Sequence, residues 1–163
     1  MKNFLLSACL AGKRVRYNGT DAKIEDPDLQ ELVDKGLAVI VCPELDGGLE
    51  VPRKPCEIKG LGGGKGVLKG CGRVLNSDSE DLTEAFFRGA EAVLEKAIKN
   101  GCSAAILKQN SPSCGTSIIY DGNFSGTKIN GMGVCAALLA EKKLKLFSED
   151  SVREAIEYIK TDE

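Results

Sequence analysis

The sequence contains no histidine and no tryptophan among its 163 residues. Without histidine, the usual acid–base group near neutral pH is missing, and so is the commonest nitrogen ligand for metals. Ser-His-Asp and Cys-His catalysis are therefore excluded within this chain. Acid–base work falls to Glu, Asp, Lys, Tyr or Cys, and any metal site must use cysteines or carboxylates. Aromatic residues make up only 5% of the chain, too few for a tiled nucleic-acid stacking surface. The net charge of −2, from 22 basic and 24 acidic residues, offers no general attraction to polyanions, so nucleic acid is not expected as a partner. No apolar run approaches the ~20 residues of a membrane span. The start, Met1-Lys2, leads into an apolar run over 4–11, but Lys13, Arg14 and Arg16 follow directly, which argues against a secretory signal. There is no CxxC pair, and the seven cysteines are odd in number. A cytoplasmic, reducing setting is expected, where thiols serve packing, metal or redox chemistry rather than bridges.

What is present is enough apolar material for a real core, 42% of the residues, on a length that suits one domain, 1–163. Residues 4–9 form a continuous apolar run and read as a buried strand. Asp26-Pro27 opens a helix, with Asp as N-cap and Pro at the first helical position. Leu29, Leu32 and Val33 give its apolar face, and Gly36 closes it. Residues 37–42 are a second apolar run, stopped by Pro43; apolarity on both faces fits a parallel strand covered on both sides. Strand–helix–strand is a right-handed βαβ unit. Residues 43–80, broken by prolines and glycines, read as an irregular excursion with short strands over 56–58, 67–69 and 73–75. Residues 81–100 carry the strongest helical periodicity, and 103–108 read as a third core strand. Asp121-Gly122 suits a hairpin turn, 134–144 a helix and 144–147 a short strand at an edge. Ser148 caps a last amphipathic helix, and no disordered tail is expected. The alternation implies the α/β class: a three-layer Rossmann-like fold with a mostly parallel sheet and a small irregular β excursion.

In such folds ligands bind beyond the carboxyl ends of the strands. That rule singles out Cys9 at the end of the first strand, Cys42 at the end of the second, and Cys114 in the loop after the third. Three thiolates on one rim suit a metal or an iron–sulfur cluster, and sulfur ligands without histidine favour iron–sulfur or zinc over magnesium or calcium. Core packing is the competing reading, because free cysteine is among the most buried residue types. Cys56, Cys71, Cys102 and Cys135 are expected to be packing or surface thiols.

The stretch Gly60-Leu61-Gly62-Gly63-Gly64-Lys65-Gly66 fails the Walker pattern and follows no clear strand, so it reads as a flexible hairpin loop. In Ser111-Pro112-Ser113-Cys114-Gly115, hydroxyls and backbone N–H groups suit a polarised oxygen or sulfur, as well as an ordinary turn. Glu44, two residues beyond Cys42, is a candidate proton carrier; a solvated surface carboxylate is the plainer alternative. Tyr17 and Arg53 are candidate substrate contacts or ordinary surface residues.

Several segments together resemble the DUF523 family, which includes bacterial thiouracil desulfidases. They are Ser7-Ala8-Cys9-Leu10, Arg16-Tyr17-Asn18-Gly19, Val41-Cys42-Pro43-Glu44, Gly47-Gly48-Leu49 with Pro52-Arg53, Ser111-Pro112-Ser113-Cys114-Gly115, Ile119-Tyr120-Asp121-Gly122 and Gly131-Met132-Gly133-Val134. The resemblance runs from about residue 3 to 150. It implies a [4Fe-4S] cluster on Cys9, Cys42 and Cys114, with the fourth iron free of protein ligands. It also implies removal of sulfur from 2-thiouracil or a related small thiolated pyrimidine, giving uracil and sulfide; the alternatives are a non-catalytic iron–sulfur or zinc-binding module, as sensor or sulfur carrier, and a cluster-free sulfurtransferase carrying a persulfide on Cys114. On the desulfidase expectation Glu44 exchanges protons with the attacking water and the ring. Ser111 or Ser113 holds the substrate or relays a proton.

Overall fold

A computed structural model describes residues 1–161; the end of the tail, for which no disorder is expected from the sequence, lies outside the described residues. In chain order the elements are β1 (Asn3–Ser7), α1 (Pro27–Asp34), β2 (Ala38–Val41), α2 (Pro43–Asp46), β3 (Cys56–Gly60), α3 (Gly63–Leu68), β4 (Gly72–Asn76), α4 (Thr83–Lys99), β5 (Cys102–Leu107), β6 (Ile118–Tyr120), β7 (Lys128–Asn130), α5 (Val134–Glu141), β8 (Lys145–Ser148) and α6 (Val152–Lys160). A 3-10 turn, Glu149–Ser151, joins the last two. The central sheet has the order β2-β1-β5-β8. All its pairings are parallel, with Leu6 opposite both Ile40 and Ile106.

The apolar runs behave as strands covered on both faces. Phe4 and Leu6 turn to one side and pack with Leu29 and Leu32 of α1 and Ile156 and Ile159 of α6. Leu5 turns to the other, into a core shared with Phe86 and Val93 of α4 and Val134 and Leu139 of α5. Burying each such side chain contributes about 1.5–3 kcal/mol. Helix α1 starts as its sequence signals: the Asp26 carboxylate accepts from the N–H groups of Asp28 and Leu29, with Pro27 in the first turn.

The excursion is more regular than its composition suggests. Strands β3 and β4 form an antiparallel pair and β6 and β7 a hairpin. Pro43 does more than end β2, because it starts the short helix α2. Residues 63–68 are helical, which corrects both the strand expected over 67–69 and the flexible loop expected over 60–66. The low helix propensity of glycine is overridden by packing. A Cβ on Gly64 would stand 2.2 Å from the Gly133 carbonyl oxygen at the start of α5, and one on Gly133 would stand 2.5 Å from the Ser113 carbonyl carbon. A second close approach seats α2 on α4, where a Cβ on Gly89 would stand 1.8 Å from the Pro43 carbonyl oxygen. The two glycine contacts fix the backbones that carry Ser113-Cys114 and Cys42-Pro43-Glu44.

Candidate active site

The carboxyl ends of β1, β2 and β5 open into one cavity of about 420 Å³. It sits where the winding reverses: β1 leads to α1 on one face of the sheet, and β5 leads to α5 on the other, the location that open α/β sheets use for ligands. Cys9, Cys42 and Cys114 all line it. Cys9 and Cys114 are buried and Cys42 is partly so. Burial pushes the Cys9 thiol up to about 11 and that of Cys114 up to about 12, and it raises Cys42 as well. The thiols also feel one another: a charge on Cys42 raises Cys9, and charges on Cys9 and Cys42 raise Cys114. Lys108 acts in the opposite sense on Cys9. A buried thiol with so high a pKa is the reverse of an activated nucleophile; such sulfurs ionise when a metal takes the place of the proton.

Glu44 stands on α2 beside these sulfurs. One carboxylate oxygen accepts from Arg53 Nε at 3.0 Å, and the other accepts from the Ser113 hydroxyl at 2.8 Å. With the Ser113 proton given to Glu44, the Ser111 hydroxyl donates to Ser113 across 2.9 Å. Ser111, Ser113 and Glu44 thus form a continuous hydrogen-bonded chain on the cavity wall. Ser111 Oγ also accepts from the N–H groups of Ser113 and Cys114, at 3.2 and 3.0 Å, which folds the loop around it. Arg53, whose guanidinium also donates to the carbonyls of Glu50 and Val15, lies between two strands of loop and Glu44.

The Cys114 loop is clamped at both ends. The Gln109 side-chain oxygen accepts from the N–H groups of Thr116, Ser117 and Ile118. At the other end, Val134 and Ala136 in the first turn of α5 donate to the carbonyls of Pro112 and Ser113, which satisfies donors a helix start leaves open. Ser7, at the end of β1, accepts from the Lys108 N–H at 3.1 Å, and its own hydroxyl hydrogen-bonds the Cys114 sulfur. The Lys108 ammonium is paired with Glu149 at 2.8 Å.

All the residues singled out from sequence reach this cavity: the three cysteines, Glu44, Ser111, Ser113, Arg53, and Tyr17, which is 40% exposed at the mouth. Of the remaining cysteines, Cys135 is buried in the core, Cys71 is exposed and Cys102 is partly buried at the start of β5. Cys56 is packed, as expected, but on the cavity wall, where burial pushes it up to about 12. Ser7, at the end of β1, and Lys108, just past β5, also line the cavity, as strand-end residues do; Glu57 and Phe124 line it without any local sequence signal and arrive through long-range packing.

Among the described residues, no three Cys, Asp or Glu side chains converge on a single ion position. Three thiols around one cavity, reached from the ends of β1, β2 and β5, could instead hold a polynuclear cluster, in which each sulfur takes a different iron. The chemistry of the donors suits such a group: sulfur only, buried at Cys9 and Cys114 and partly so at Cys42, with the Ser7 and Ser113 hydroxyls in hydrogen-bonding reach of the Cys114 sulfur.

A parallel α/β sheet that gathers thiols, a carboxylate and hydroxyls at its switch point has the layout of a small-molecule enzyme with sulfur-rich chemistry. The chain belongs to the 2-thiouracil desulfurase family (DUF523), whose model matches residues 4–151, and it is accordingly a carbon–sulfur-cleaving enzyme. It is 45% identical over 152 residues to the uncharacterized protein YbbK of Bacillus subtilis, covering 93% of this chain and 99% of that one. A solved structure of a [4Fe-4S]-dependent thiouracil desulfidase, TudS, superposes with a TM-score of 0.86 at 38% identity, covering 94% of this chain and 95% of the other. No helix among the described residues is long and apolar enough to cross a membrane.

Proposed function

We propose that this protein is a [4Fe-4S]-dependent desulfidase that converts 2-thiouracil, or a related thiolated pyrimidine, to the oxo base and sulfide. Cys9, Cys42 and Cys114 hold the cluster and leave one iron without a protein ligand. The observation that carries this reading is the meeting of three thiols and the Glu44–Ser113 pair on one cavity. Family membership and the likeness to TudS support it. When bound, the cluster supplies a Lewis acid with an affinity for the substrate sulfur.

The chain's own residues do the rest. Glu44, held on one oxygen by Arg53 and on the other by Ser113, accepts a proton from the attacking water and returns one to the ring nitrogen. Ser111 and Ser113 carry that proton along their hydrogen bonds and hold the polar edge of the base. Tyr17, exposed and lining the cavity, contacts the substrate. Water supplies the oxygen and the sulfur leaves as sulfide, so the exchange is hydrolytic and needs no reductant. The chain works as one domain in the cytoplasm on a small thiolated pyrimidine; its net charge of −2 offers no general attraction to nucleic acid.

Anaerobic reconstitution tests the reading. The wild type is expected to bind about four irons per chain, to turn brown and to release sulfide from 2-thiouracil, while Cys114→Ser loses iron and turnover together. A fully reconstituted wild type that turns over no thiolated pyrimidine would overturn it.

A further inference from the structure

The hairpin β6–β7 is not tied to the chemistry described so far, yet its tip reaches the cavity. Residues 121–127 form that tip, closed by the Asp121 N–H donating to the Thr127 carbonyl. Inside it, the Gly122 and Phe124 N–H groups both donate to one oxygen of Glu57, at 3.0 and 3.2 Å. Glu57 lies on β3 and is only 9% exposed, so a buried carboxylate from a separate sheet fastens the tip. The fit is tight: a Cβ on Gly122 would stand 2.4 Å from the Ile58 carbonyl oxygen.

The tip presents Phe124. Its φ is +53°, a left-handed backbone that a bulky residue adopts only where the surroundings hold it. The ring is 38% exposed and lines the cavity. Among the described residues, the large apolar side chains left exposed include just two that line the cavity, Phe124 and Tyr17. An exposed ring, held in a strained backbone by a buried carboxylate over a cavity that receives a flat heteroaromatic base, has the geometry of a stacking wall.

We propose that Phe124 is a substrate-contact residue that covers the flat face of the thiolated ring, and that Glu57 is the positioning residue that sets it there. This rests on the desulfidase reading. It assigns part of the binding of the base to a loop outside the Rossmann-like sheet, through contacts equal in substrate and transition state, so its signature is in KM and not in kcat.

The test is steady-state desulfidation of 2-thiouracil by anaerobically reconstituted holoenzyme, with iron content measured for each variant. Phe124→Ala raises KM about tenfold, the lower end of what one base–aromatic stack is worth, with kcat changed less than about twofold. Phe124→Tyr restores KM. Glu57→Gln, which still offers an oxygen to both N–H groups, stays near wild type, whereas Glu57→Ala reproduces the KM of Phe124→Ala. The double variant is no worse than Phe124→Ala alone. If Glu57→Ala does not fold, Glu57→Asp, whose shorter side chain draws the oxygen back from both N–H groups, takes its place: a raised KM is expected, and a wild-type KM overturns the positioning role. A wild-type KM in Phe124→Ala, or a loss of its iron, overturns the assignment while the desulfidase reading stands. An iron-replete wild type that releases no sulfide overturns both.

Discussion

At Glu44 the two carboxylate oxygens have separate partners, one accepting from Arg53 and one from the Ser113 hydroxyl; on the proposed mechanism the second exchanges a proton. Glu44→Gln keeps the size and removes the proton carrier. Turnover is expected to fall by about 10²–10⁴-fold with the iron content unchanged, read by sulfide release beside the visible spectrum. Ser111→Ala acts differently. Its hydroxyl is the acceptor for two loop N–H groups, so the variant loses about 1–3 kcal/mol of stability, read as a lower urea midpoint. Cys9, Cys42, Glu44 and Cys114 were legible in the sequence because a strand end is visible as the end of an apolar run, and the switch-point rule places strand ends at the site. Phe124 was not: it joins the site only because Glu57, 67 residues away, holds its N–H.

Among the elements, the central sheet and the helices α1, α4, α5 and α6 follow from apolar periodicity and caps. Helix α3 does not, because Val67-Leu68 is too short a run to show a period and its glycines favour coil. Their value is tertiary, since they let α3 approach Gly133 and, through it, Ser113. Gly64→Ala is therefore expected to cost about 1–3 kcal/mol through overpacking and to lower iron loading by shifting the Cys114 loop. Gly89→Ala, at the contact between α2 and α4, should do the same to Cys42 and Glu44. Denaturant melts with parallel iron determinations check both.

For the whole molecule, the raised thiol pKa values set a pH dependence. Folded, metal-free protein keeps protons on Cys9, Cys56 and Cys114, where burial pushes the pKa up to about 11, about 12 and about 12. The unfolded chain gives these protons up at the ordinary value of 9.0. Folding therefore retains protons between those values. The contribution is complete below about pH 9 and is lost as pH rises through the folded values. Metal-free protein in reductant is expected to show a lower urea midpoint at about pH 10.5 than at about pH 8, and Cys114→Ala should flatten the decline. Thermal or urea melts across that range check the sign.

Cys9, Cys42 and Cys114 face one cavity because β1, β2 and β5 lie side by side and α5 packs behind the last loop. They stand 33 and 72 residues apart along the chain, so the complete set of thiols exists only in the folded sheet. On the desulfidase reading, iron and sulfide are then delivered to folded protein, and cells short of iron are expected to accumulate a folded, empty pool that can be charged later without resynthesis.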